Sequence, residues 1–227
     1  MPPGQRGCQL RKGEGMARYG MAIDLTRCVG CQTCTVACQQ VHNTRPGISW
    51  NVVEPVEFGR EWPEADRCYL PHACMHCENA PCVAACPAGA SVQRKDGVVI
   101  VDYEKCVACG LCVDACPYGA RKMSTSDVWH FDAAEPAPYE AYGVQRVNVA
   151  EKCTFCAERL DEGLQPRCVD ACFYGSRVFG DLDDPESAVS KFIAENDVIQ
   201  VPGASVFYLC GKYDVDPVEY LVFRNGE

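Results

Sequence analysis

The 227-residue sequence predicts an α+β fold of two small modules, with the inner module inserted into the chain of the outer one. Three observations lead there. Sixteen of the nineteen cysteines fall into four groups of four. The first cysteines of the groups, Cys28, Cys74, Cys106 and Cys153, stand 46, 32 and 47 residues apart, so the shortest step lies in the middle rather than at the ends. The segment filling that step, Ala90 to Val101, reads as a β-hairpin turning at Lys95-Asp96-Gly97, where Asp-Gly supplies the positive φ angles of a tight turn.

Composition narrows the function. With 48% hydrophobic and 23% charged residues the chain can bury a core, and cysteine usage is high enough for cysteine chemistry to hold part of the fold together. The longest apolar stretches, Gly97 to Val101 and Val107 to Val113, fall far short of the roughly 18 to 20 residues that span a bilayer. A net charge of -10 and a pI near 4.9 disfavour nucleic acid as the main partner, because phosphate binding needs the opposite sign. No Gly-rich phosphate loop, dinucleotide fingerprint or nucleophile elbow is present.

Along the chain, residues 1–17 read as an N-terminal extension. The first fifteen have no apolar h-region and no twin arginine, and they are either loose or the product of a start placed too early, ahead of Met16. Arg18 to Asp24 is the first strand. Group one follows: Cys28, Cys31, Cys34 and Cys38, spaced C-x2-C-x2-C-x3-C. Asn43 to Leu70 is an insertion bearing Trp50, Phe58 and Trp62, and its aromatics either fold inward over the metal centres or anchor a partner. Group two is Cys74, Cys77, Cys82 and Cys86, spaced C-x2-C-x4-C-x3-C. Group three is Cys106, Cys109, Cys112 and Cys116, with the spacing of group one. A second insertion, Met123 to Tyr142, carries Trp129 and Phe131. Val144 to Val149 is a strand before group four, Cys153, Cys156, Cys168 and Cys172, whose middle gap widens to eleven residues. Ser176 to Asp181 is the strand after it. A helix starts at Asp184-Pro185-Glu186-Ser187 with Asp184 as its cap, and Ala188, Val189, Phe192 and Ile193 form its apolar face. Ser205 to Leu209 is a strand, and Val218 to Phe223 is another or a docking tail. The outer module then covers 18–70 and 143–215, the inner 71–122, the second insertion 123–142 and the tail 216–227.

The spacing of groups one and three matches the bacterial ferredoxin run, whose first three thiolates hold one 4Fe-4S cube while the fourth reaches another. Three corners of a small cube must be met by one tight loop, and the small residues Gly30 and Gly110 let the chain wrap. The fourth cysteine, one turn along a short helix, faces elsewhere. Disulfides do not favour three thiols within seven residues, and structural zinc wants paired C-x2-C knuckles, which only group four resembles. With nested modules the crossover rule assigns four sets. The inner sets are Cys74, Cys77, Cys82 with Cys116, and Cys106, Cys109, Cys112 with Cys86. The outer sets are Cys28, Cys31, Cys34 with Cys172, and Cys153, Cys156, Cys168 with Cys38. The sixteen cysteines would therefore bind the iron of four 4Fe-4S clusters, with no catalytic residue. Arg121, Lys122, Lys152, Arg159 and Arg167 are the expected offsets to the added negative charge. His42, His72, His76 and His130 read as surface or supporting groups rather than ligands, with His76, between Cys74 and Cys77, placed to tune its cube. Cys68 and Cys210 read as buried small hydrophobes and Cys8 as incidental.

In this order, and with the wide gap in group four, the groups resemble the four-cluster iron-sulfur subunit of molybdopterin oxidoreductases of the dimethyl sulfoxide reductase type. The stretches MAIDLTRCVGC, CMHCENAPCVAACPAGA, CVACGLCVDACPYGAR and KCTFCAERLDEGLQPRCVDAC carry the resemblance over Tyr19 to Leu209, with Gln39 and Phe173 where proline commonly follows the fourth cysteine. It implies a non-catalytic conduit of single electrons between a large molybdenum or tungsten catalytic subunit and a membrane quinone-linked or soluble partner, peripheral to the cytoplasmic membrane. The rival readings are a freestanding soluble polyferredoxin and, more weakly, a nucleic-acid repair role.

Overall fold

The computed structural model describes residues 17–59, 65–125 and 146–223, and combines short helices with small sheets. The organising strand is β1 (Tyr19–Asp24), buried over every residue after Tyr19. It lies antiparallel to β8 (Arg177–Asp181) and parallel to β10 (Val206–Leu209), and β9 (Ile199–Gln200) closes the sheet in the order β8-β1-β10-β9. A strand with neighbours on both sides and layers on both faces needs a continuous apolar run, which Met-Ala-Ile provides. Met21 and Ile23 face the main core, while Ala22 faces Val189, Phe192 and Ile193 of α6 (Ala188–Glu195).

Helix α6 differs from the sequence reading at its start. Its cap is Ser187, whose side chain accepts from the Ser190 N–H at 3.1 Å. Asp184 instead accepts from the Glu186 N–H at 2.8 Å, in a turn ahead of the helix. The tail also differs: Pro217–Phe223 is a helix, α7, not a strand. Asp216 Oδ1 accepts from the Val218 and Glu219 N–H groups at 2.8 and 3.2 Å, capping it, and Leu221 buries its side chain in the main core.

The first insertion forms an antiparallel hairpin, β2 (Val52–Phe58) with β3 (Asp66–His72), which delivers the chain to Cys74. β4 (Ser91–Gln93) and β5 (Val99–Val101) make the hairpin between groups two and three. Its loop is wider than a two-residue turn: Arg94 N–H donates to Val98 at 2.8 Å, Gly97 N–H donates to Arg94 at 3.1 Å, and Gly97 alone takes a positive φ, +82°. Of the strand expected over Val144 to Val149, the described residues 146–148 are not extended into a strand and Val149 opens one, because Asn148 adopts a left-handed conformation in front of it. That strand, β7 (Val149–Glu151), pairs antiparallel with β6 (Lys122–Ser124). The chain leaving group three is thereby stitched to the chain entering group four.

Candidate metal centres

The four cysteine groups share one backbone device. The residue before each second cysteine, Gly30, His76, Ala108 or Phe155, has φ of +70°, +47°, +55° or +51°. The left-handed kink folds each loop back on its first thiol. The N–H groups of His76 and Phe155 point at Cys74 Sγ and Cys153 Sγ at 3.5 and 3.4 Å. Gly30 leaves no room for a side chain, since a Cβ there would stand 2.4 Å from the Tyr69 ring.

Each third cysteine lies on a helix: Cys34 on α1 (Thr33–His42), Cys82 on α2 (Pro81–Ala84), Cys112 on α3 (Leu111–Asp114) and Cys168 on α5 (Arg167–Asp170). The wide gap of group four holds one more helix, α4 (Ala157–Asp161). Cys38 shares α1 with Cys34 as expected, whereas Cys86, Cys116 and Cys172 come two residues after their one-turn helices end. Helix α1 packs on α5 and α2 on α3, so groups one and four face each other, as do groups two and three.

This packing brings thiols from different groups together. Cys28, Cys31 and Cys34 line one cavity with Cys172, and Cys106, Cys109 and Cys112 line another with Cys86. Burial and the neighbouring Cys74, Cys116 and Cys82 push the Cys77 thiol up to about 12. Burial, followed by Cys153, Cys168 and Cys156, holds the Cys38 thiol well above the ordinary range. Cys153 is pushed up to about 12 by burial, Cys168 and Cys74, which sets the two central groups of thiols side by side. The eighteen described cysteines are all free thiols. Among the described residues no three His, Cys, Asp or Glu side chains close around a single ion, as one tetrahedral zinc would need. Four thiols instead share the lining of each of the two cavities, and such a donor set suits a polynuclear group.

Buried thiolates repel one another unless cations offset them. Arg177, 4% exposed, lies between two sets: Nη2 is 3.7 Å from Cys34 Sγ and Nη1 4.0 Å from Cys168 Sγ, while Nη2 donates to Asn51 Oδ1 at 2.6 Å. Arg121, 1% exposed, has the matching place between Cys82 and Cys112 and donates to Ser91 Oγ at 2.8 Å. Lys152 is fully buried and donates to the carbonyls of Val99 and Cys153. Of the other expected cations, Lys122 faces solvent and Arg159 pairs with Asp170 at 2.5 Å. Arg167 contributes its backbone N–H, 3.4 Å from Cys156 Sγ.

Sequence reasoning missed Arg177, although a signal was present. Tyr-Gly-x-Arg follows the fourth cysteine in both group three (Tyr118 to Arg121) and group four (Tyr174 to Arg177).

His42 Nε2 lies 3.1 Å from Cys156 Sγ, and the ring stacks on Trp50 at 4.5 Å. Burial, with Arg146 and Arg159 acting in the same direction, lowers its pKa to about 4. Trp50 donates to Glu151 Oε2 at 2.9 Å and faces the interior. His72 sits 3.3 Å from Glu54. Cys68 and Cys210 are buried. Cys31 and Cys109 are the exposed members of the sixteen. Cys8, Trp62, Trp129, His130 and Phe131 lie outside the described residues. Among the described residues no helix is long and apolar enough to cross a membrane.

A 4Fe-4S dicluster domain model matches residues 65–131 and 122–182, and a 4Fe-4S binding domain model matches 25–41. A Halobacterium salinarum protein provisionally named as an iron-sulfur subunit of dimethyl sulfoxide reductase is 41% identical over 93% of this chain and 80% of its own. A tetrathionate reductase subunit of Salmonella typhimurium is 40% identical over 88% of this chain and 76% of its own. The arsenate respiratory reductase iron-sulfur subunit of a Shewanella species is 36% identical over 85% and 96%.

Proposed function

On the premise that this chain belongs to the 4Fe-4S dicluster iron-sulfur subunits of the dimethyl sulfoxide, tetrathionate and arsenate reductase type, an electron-transfer family, we propose that it is the non-catalytic conduit of a larger oxidoreductase and holds four clusters. In this reading the sixteen cysteines act as two nested ferredoxin-like pairs. Cys106, Cys109, Cys112 and Cys86 form one terminal set, followed by Cys74, Cys77, Cys82 and Cys116, then Cys153, Cys156, Cys168 and Cys38, and at the other end Cys28, Cys31, Cys34 and Cys172. When bound, 4Fe-4S clusters supply one-electron oxidation and reduction.

The observation that carries the reading is the crosswise meeting of distant thiols, above all Cys38 beside Cys153, Cys156 and Cys168. The residues of the chain have divided tasks. Backbone N–H groups of His76, Ser91, Ala150, Phe155 and Arg167 donate to cysteine sulfurs at 3.4 to 3.5 Å and stabilise their negative charge. Arg121 and Arg177 each place a cation between two sets. Six of the eight cysteines of the central sets are buried, against two of the eight in the terminal sets, and exposed Cys31 and Cys109 mark the ends where electrons enter and leave. The partner at one end is a large molybdopterin subunit, and at the other a quinone-linked membrane subunit or a soluble carrier.

Anaerobic purification from the native host tests this. The reading expects about sixteen irons and as many acid-labile sulfides per chain and co-elution with a molybdenum or tungsten protein. A monomeric holoprotein that binds no such subunit would support a freestanding carrier instead, and a far lower iron content would remove the four-cluster reading.

A further inference from the structure

The imidazole of His76 occupies a place that needs no polar side chain. The equivalent residues in the other three loops, Gly30, Ala108 and Phe155, take the same left-handed backbone without a side-chain donor. His76 is 1% exposed, and its ring stacks on Phe155, its own counterpart in group four, with centroids 3.7 Å apart. The stack joins the loop of Cys74 and Cys77 to the loop of Cys153 and Cys156, where the two central thiol sets adjoin. Its proton is placed by the fold. Nδ1 accepts from the Val99 N–H at 3.0 Å, so the ring hydrogen of the neutral tautomer must sit on Nε2. Nε2 is buried and has no hydrogen-bond partner among the described residues. An unsatisfied buried donor is uncommon and calls for a ligand that is absent from the protein atoms.

We propose that the Nε2–H of His76 is reserved for a sulfur of a central cluster, and that this hydrogen bond makes His76 the positioning residue that raises that cluster's potential at the junction between the two pairs. The inference rests on the four-cluster reading. Hydrogen bonds to cluster sulfurs stabilise the more negative, reduced form, so they raise the potential. The bond also gives the midpoint of the path a more favourable electron-accepting step than the chain would have with the Ala or Gly of the other loops.

Two variants separate donor from ring. His76→Phe keeps the stack, as Phe155 already does at the same φ, and removes the donor. His76→Gln keeps an N–H and loses the ring, at a φ that Gln32 shows to be accessible. Redox titration of the holoprotein followed by electron paramagnetic resonance is expected to show one central cluster shifted down in His76→Phe, at least half the shift recovered in His76→Gln, and the two terminal clusters unmoved. Unchanged midpoints in His76→Phe, equal shifts of all four clusters, or no recovery in His76→Gln would overturn the proposal. Labelling with 15N-histidine gives a second readout: pulsed resonance of the reduced holoprotein should detect an imidazole nitrogen coupling beyond that of His42, whose Nε2 lies 3.1 Å from Cys156 Sγ, and a wild-type coupling that persists unchanged in His76→Phe would overturn the assignment. The iron content of the same wild-type sample tests the four-cluster reading separately, because full loading without a coupling that is lost in His76→Phe removes only the role of His76.

Discussion

The half of the molecule carrying groups two and three and the half carrying groups one and four repeat the same loops with very different amounts of protein around them. Groups two and three are served by one-turn helices, a three-residue-per-strand hairpin and a small core of Ala80, Cys82, Val99, Cys112 and Ala150, in which two of the five members are candidate ligands. Groups one and four have a four-stranded sheet, the ten-residue α1, and aromatic packing of Phe155 on Phe179. The contrast teaches that a short loop repeat specifies a thiol set, while the surrounding core decides how far the fold depends on what the thiols bind.

The largest expected effect follows from that dependence. Stripping the metal with a chelator under reducing conditions should unfold residues 71–122 first, because ligand binding and folding are one equilibrium where the core is small. Hydrogen exchange should show their amides losing protection while β1 and β8 retain theirs. Simultaneous loss in both halves would break the comparison.

Next in size is the pair of arginines. Arg177 touches two sulfurs, Met21 and Asn51 in full burial, so Arg177→Met should cost about 3–5 kcal/mol, in the range for removing one partner of a buried charge set, and lower iron content. Arg121→Met, in the thinner half, should cost less. Chemical denaturation with iron assays checks the order, and the reverse order would mean that Arg121 bears the greater charge burden.

A smaller effect separates the loops themselves. Gly30→Ala forces a left-handed alanine against the Tyr69 ring and should cost about 1–3 kcal/mol. Ala108→Gly, at the same place in group three, should be close to neutral. The smallest is Ser187→Ala, which removes the cap of α6 and should cost about 1 kcal/mol, read as a shift in denaturation midpoint.

The four repeated cysteine loops and the central hairpin were legible in the sequence, because a tight loop that gathers several thiols leaves a fixed spacing. What it concealed was decided by contacts remote in the chain. Asp-Pro appears twice shortly before a helix. At Asp216 it is the cap, whereas at Asp184 it is only a turn, and the helix waits for Ser187. Val218 to Phe223 has the composition of a short strand, yet the Asp216 cap and the burial of Leu221 make it helical. Arg146 to Val149 looks extended, but the left-handed Asn148 keeps the described residues ahead of Val149 out of the strand. Arg177 could have been found from the repeated Tyr-Gly-x-Arg, but its position between two thiol sets depends on the α1–α5 packing, which no local pattern records.

The central claim is that the fourth cysteine of each group serves the set of another group. The most direct measurement is electron paramagnetic resonance of reduced holoprotein carrying Cys38→Ser, compared with Cys156→Ser and Cys31→Ser. The account predicts that Cys38→Ser alters the same cluster signal as Cys156→Ser and spares the one altered by Cys31→Ser, while a Cys38→Ser spectrum that matches Cys31→Ser would contradict it.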